Sequence, residues 1–133
     1  MKPDTLGHIA TAGRNRNAAQ ELLTLVTSMN VQPPLYEWVS VMAFYSAVHY
    51  VNAFLWERHG LAPTSHGQRG SYIATLAPLP SLRLEYRQLS SHAWNARYVH
   101  GYRLSERQIR DLLDINLPYV EAMICAELGV SPP

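Results

Sequence analysis

The residues best suited to chemistry in this chain are pairs of arginine and histidine: His66 with Arg69, Arg87 with His92, and Arg97 with His100. A guanidinium is always charged and grips phosphate oxygens in a fixed, two-pronged geometry. An imidazole takes up or releases a proton near pH 7. Side by side, the two supply what phosphoester chemistry needs, a cation for the phosphate and a proton carrier for the attacking or leaving oxygen. His66 and Arg69 stand three residues apart at the start of a short helical pattern, a natural place for an anion. Arg87 and His92 stand five apart, and at about 100° per residue they point roughly 140° away from each other on one helix. Arg97 and His100 stand three apart and share a face if their helix continues that far. For both pairs to serve one reaction, the groups between 87 and 103 must meet in a common hollow open to solvent.

Aromatic residues interleave with these cations. Trp94, Tyr98 and Tyr102 alternate with Arg97, His100 and Arg103, the composition of a base-stacking surface and equally of a set of interface anchors. Six arginines (83, 87, 97, 103, 107 and 110) face only Glu85 and Glu106 in this stretch, although the whole chain carries a net charge of just +1. The region reads as a phosphate-binding face or as a solvated helix surface. His49, between Ser46 and Asn52, forms a thin polar seam in an apolar helix. It reads as a buried histidine bonded to another helix, or as the lining of a central pocket. His49, His66, His92 and His100 lack the i, i+4 pairing with carboxylates that metal sites favour, so no metal is expected. Gly67-Gln68-Arg69-Gly70 is too short and lysine-free to be a phosphate loop, and no cofactor is expected.

Five helical patterns must position these groups. A stripe of Ile9, Ala12, Ala19, Leu22, Leu23, Val26 and Met29 predicts a helix from near Thr5 to Met29, ended by Pro33-Pro34. The second runs from about Leu35 to a left-handed cap at Gly60. Ser65 and Gln68 form a capping box for a short helix reaching Leu76. Ser81 is the expected cap of a fourth helix that carries Leu82, Tyr86, Leu89 and Ala93 and ends near Arg97. Ser105 and Gln108 open the last helix, which Gly129 ends and Pro118 should kink. No strand pattern is present. The expected fold is all-α, an up-down antiparallel bundle of four long helices and one short one over residues 1–133.

Length and composition agree. A chain of 133 residues with 47% hydrophobic side chains can bury one core. Cys125 is the lone cysteine, so no internal disulfide forms, and its apolar neighbours predict an inert thiol. The stretch Trp38 to Trp56 is long enough to cross a bilayer, but polar interruptions and the amphipathic partners favour the central helix of a soluble bundle, with no membrane role. No secretory signal follows Met1, so a cytoplasmic location is expected.

Three strings carry a resemblance to a known family: WVSVMAFYSAVHYVNAFL (38–55), the loop Pro63-Thr64-Ser65-His66-Gly67-Gln68-Arg69, and Tyr86-Arg87-Gln88-Leu89-Ser90 leading to Asn95-Ala96-Arg97-Tyr98. In order and spacing they resemble the HEPN domains (higher eukaryotes and prokaryotes nucleotide-binding), over residues 8 to 128. The resemblance implies a helical domain, usually a homodimer, that binds RNA or a nucleotide. In many members it is a metal-independent ribonuclease working with an antitoxin or nucleotidyltransferase partner, in toxin–antitoxin or phage-defence systems. Those members use an arginine, four to six residues, then a histidine. Here His100-Gly101-Tyr102 resembles the His-x-Tyr end, but Arg97 lies only three residues upstream. Arg87 to His92 is the literal match. The implied catalytic candidates are Arg97, His100, Tyr102, Arg87 and His92; the implied ligand-binding set is His66, Arg69, Arg97, Tyr98 and Arg103. A non-enzymatic dimerisation module is the third reading, motivated by the all-round hydrophobicity of the second helix.

Overall fold

The second helix is where the fold is organised. In a computed structural model describing residues 1–133, helix α2 (Tyr36–His59) follows helix α1 (Pro3–Ser28) and is flanked by α1, by α4 (Arg83–Tyr98) and by α6 (Leu117–Leu128). Its residues Val39, Ala43, Phe44, Ala47, Val48, Tyr50, Val51, Phe54 and Leu55 are all buried. Each large apolar side chain sealed this way contributes about 1.5–3 kcal/mol. A single core of 28 buried residues results, and there is no strand. By length and hydropathy α2 could span a bilayer, yet 67% of its apolar window is buried inside the fold. Trp38 is its one large apolar residue left exposed. Helices α1, α4 and α6 cover most of α2, while Val41, Met42, Tyr45 and Trp56 stay partly exposed beside Trp38.

Helix α1 begins two residues earlier than the periodicity predicts, since Pro3 supplies a preset helical φ and has no N–H to leave unpaired. Thr5 is then buried, and its hydroxyl donates to Glu57 Oε2 at 2.7 Å. Met29 falls outside the helix and is exposed, correcting its place in the apolar stripe. Small residues let α1 approach α2 closely: Ser46 Oγ donates to the Ala12 carbonyl at 2.8 Å. Gly13 is needed for a different contact, since a Cβ there would lie 2.7 Å from Pro133 Cγ. Between α1, α2 and α6, Glu121 accepts hydrogen bonds from Arg16 Nη1 and from the Tyr50 hydroxyl.

Local capping matches expectation where the signal was local. Gly60 and Gly129 take the left-handed cap at φ 62° and 69°. Ser105 and Gln108 form the reciprocal capping box at the start of α5 (Glu106–Asp111). At helix α3 (His66–Thr75), Ser65 Oγ accepts from the Gln68 amide at 3.0 Å, while the Gln68 side chain accepts from Thr64 instead of Ser65. Ser81 does not cap α4. Residues Leu79–Leu82 form a 3-10 turn and the helix starts at Arg83 without a side-chain cap. Pro118 does not act through a simple kink either. A wide π-turn, Leu112–Asn116, joins α5 to α6, and the Leu117 amide donates to the Leu112 carbonyl five residues back. That opening accommodates the proline ring and its missing donor. Cys125 is buried and its thiol is pushed up to about 11, chiefly by burial, which leaves it unreactive at neutral pH.

Candidate functional site

Helix α3 is short and its first turn is mostly backbone: His66, Gly67, Gln68, Arg69, Gly70. Arg69 comes one turn after Ser65 and folds inward, where it is only 6% exposed. Its Nε donates to Asn52 Oδ1 at 2.9 Å and its Nη1 donates to His66 Nδ1 at 2.9 Å. Neither partner is acidic. The ion pairs of the fold are Arg16–Glu121, Arg103–Glu37 and Arg110–Glu106, so Arg69 is a buried cation without a counter-ion. Such a group is costly to hold unless an anion comes to it.

Next to Arg69 lies a cleft of about 440 Å³ between α3 and α4. Its walls include His66, Arg83, Tyr86, Arg87 and Ser90, and no carboxylate lines it. Arg83 and Arg87 are one helical turn apart, a like-charge pairing that costs an isolated helix a few tenths of a kcal/mol. Tyr86 is 8% exposed, and its hydroxyl is buried with no hydrogen-bond partner. Burial pushes that hydroxyl up to about 12 despite the nearby Arg69 charge, so it keeps its proton. The ring of Phe44, deep in the core, packs against both His66 and Tyr86 at 5.5 and 5.6 Å between centroids. The core thus sets the position of the cleft directly.

Arg97 occupies the rim. Its Nη1 donates to the Tyr45 hydroxyl at 2.9 Å, and its guanidinium lies 5.6 Å from the Tyr45 ring and 5.2 Å from the Tyr98 ring. Tyr45 in turn faces His66, 6.3 Å away. Trp94 and Tyr98, 56% and 63% exposed, pack 4.4 Å apart with their rings tilted by 50°. A run of cations and aromatic rings therefore connects Trp94, through Arg97 and Tyr45, to the cleft.

The groups from 87 to 103 do not share one hollow. Arg87 lines the α3–α4 cleft, whereas His92 points to the other side of α4, toward Gln108 and Asp111, and its Nδ1 meets the Tyr102 hydroxyl at 2.5 Å. The divergence follows from the helical angle between positions 87 and 92. The Arg97–His100 face does not form, because α4 ends at Tyr98 and Val99 is extended at ψ 113°. His100 is exposed in the following turn, and Arg103 reaches out to Glu37 at 4.0 Å. His49 pairs with His8 of α1 across 3.0 Å, the inter-helix bond expected of a buried histidine in place of a pocket lining. No three histidine, cysteine, aspartate or glutamate side chains converge closely enough to hold a metal ion.

Sequence reasoning placed His66, Arg69 and Arg87 at the site but missed its other walls. Tyr86 was visible only as a core position, and Arg83 only as part of a charge count. Asn52 lay in the polar seam, three residues after His49, without any sign of its partner. Tyr45 and His8 carried no signal at all.

His8, His49, His66 and His92 are all held below the ordinary imidazole value of 6.5, in each case chiefly by burial. Their folded forms therefore prefer to be neutral, and the unfolded chain binds protons first as pH falls. The stability they support is present above pH 6.5 and is lost as pH drops through their lowered folded values. Thermal melts should show a flat midpoint above about pH 7 and a steady fall toward about pH 5. His49→Gln should flatten that fall, because it removes one of the four contributors.

The chain matches no protein family, no curated protein and no solved structure.

Proposed function

We propose that this chain is a HEPN-like domain that binds nucleic acid or a nucleotide, with phosphate held in the α3–α4 cleft. One observation carries the reading: Arg69 is a buried guanidinium with no acidic partner, set beside a carboxylate-free cleft lined by Arg83, Arg87 and His66. The exposed Trp94–Tyr98 pair at the end of the same run offers a stacking surface for a base. Local contacts support the up-down arrangement. Thr5 meets Glu57 and Ser46 meets Ala12, so α1 and α2 run in opposite senses.

Binding of single-stranded RNA and of AMP, followed at increasing salt, tests the proposal. Affinity should fall log-linearly with salt, and Arg87→Gln should weaken binding and reduce the slope by about one contact. No salt-sensitive binding of either ligand refutes it. Light scattering on the same samples tests the homodimer that the resemblance implies; a stable monomer at high concentration removes it.

A further inference from the structure

We infer that the α3–α4 cleft is a receptor for a terminal phosphate, a phosphomonoester dianion, in preference to the phosphodiester of a chain interior. The inference rests on the nucleic-acid or nucleotide reading of the same cleft and specifies which phosphate it takes.

Hydrogen-bond polarity is the first argument. A guanidinium only donates, so the bond from Arg69 Nη1 makes His66 Nδ1 the acceptor and leaves it without a proton. Burial and the charges of Arg69 and Arg97 keep the ring neutral. Its single N–H is therefore on Nε2. His66 is fixed as a neutral donor and does not serve as a proton acceptor at Nδ1. Tyr86 lines the cleft wall, and its protonated hydroxyl, sealed beside the Arg69 guanidinium, has no acceptor of its own. The amides of His66 and Gly67 belong to the first turn of the ten-residue helix α3, where no carbonyl inside the helix can accept from them. Ser71, by contrast, is already committed, its hydroxyl donating to the Gly67 carbonyl at 3.2 Å. The free groups are thus donors, and the missing partner is an acceptor-rich anion.

Charge count is the second argument. Arg83 and Arg87 line the cleft, Arg69 lies buried behind its His66 wall, and no carboxylate lines it. A diester brings one negative charge and two free oxygens. A monoester brings close to two charges at pH 7 and three strongly accepting oxygens. Only the latter matches two lining guanidiniums, a third behind them, an imidazole N–H and a phenol.

Access is the third. A Cβ built on Gly70 would touch nothing within 4 Å, and one on Gly67 only Ser65 Oγ at 3.9 Å. At Gly67 and Gly70 the α3 side of the cleft is bare backbone, open to a close-approaching oxygen.

Calorimetric titration of the purified chain with one short single-stranded RNA, bearing phosphate at its 5′ end, at its 3′ end or at neither, decides the matter. A terminally phosphorylated form should bind about tenfold or more tightly than the unphosphorylated one, the size of a charge-assisted contact. AMP should compete where adenosine does not. Arg87→Gln, an exposed position, and Tyr86→Phe, which deletes an unpartnered hydroxyl, should each erase the preference without lowering the melting midpoint. Equal affinity for all three RNAs, with binding still weakened in Arg87→Gln, overturns the terminal-phosphate inference and leaves nucleic-acid binding standing. Competition by inorganic phosphate but not by AMP also overturns it. Absence of binding to every ligand removes this inference and the proposed function together.

Discussion

Glu121→Ala should destabilise the fold by about 3 kcal/mol, the lower end for breaking a buried ion pair, and lower the melting midpoint by roughly 10 °C. Glu121 accepts from both Arg16 and Tyr50, so its loss strands a guanidinium on α1 and a phenol on α2 at once. Tyr50 is fully buried, and burial together with the Glu121 carboxylate drives its pKa far up, so the hydroxyl remains a donor at any accessible pH. It cannot solve the problem by ionising. Tyr50→Phe should cost only about 1 kcal/mol, since Glu121 keeps Arg16 as its partner. Arg16→Met combined with Glu121→Met should recover part of the loss, because the pair is then replaced by apolar volume while the Tyr50 hydroxyl stays unpaired. Calorimetry on the three variants checks the ordering. A midpoint for Glu121→Ala equal to that of the unaltered chain would show that the triad is solvated and energetically idle.

Arg69→Met should have the opposite profile, abolishing ligand binding with an unchanged or raised melting midpoint. Deleting the guanidinium removes the buried positive charge behind the cleft and the bond that fixes His66 as a donor, so affinity should fall by about a hundredfold or more. Against that, the unliganded fold no longer holds a buried charge without a counter-ion. Asn52 and His66 lose a donor, but His66 is exposed enough for water to replace it. The same variant removes one of the charges that depress the His66 pKa, so the imidazole should titrate at a higher pH, and nitrogen chemical shifts should report a mixture of tautomers. Retained affinity in Arg69→Met would mean that the cleft's outer arginines act alone.

How far the sequence could be read depended on the range of each interaction. Ser105 with Gln108, Gly60, Gly129 and Ser65 act within one turn of their own helix, and their expected caps formed. Ser81 failed as a cap because the preceding Leu79-Pro80 segment closes a 3-10 turn that carries the chain past it. The all-helical class followed from periodicity. The site was harder. Arg69 belongs to a polar helix start that reads as surface, and only the approach of Asn52 from α2 draws it inside. Arg87 and His92 match the family spacing, but helical geometry alone sends them to different sides, as the structure has them. Spacing identifies which residues share a face only while the element lasts, and α4 ends one residue after Arg97.

The wide turn before Pro118 has a consequence for tolerated changes in chain length. A π-turn is geometrically an α-helix with one residue too many, and the segments on either side keep the phase they would have had without it. Deleting one exposed residue there, such as Asp114, should therefore leave Ile109 and Ile124 facing the same core. It would, however, press the Pro118 ring against a carbonyl in a regular turn, at about 3 kcal/mol. Shortening the chain alone should be harmful, and shortening it together with Pro118→Ala should restore a straight, continuous rod.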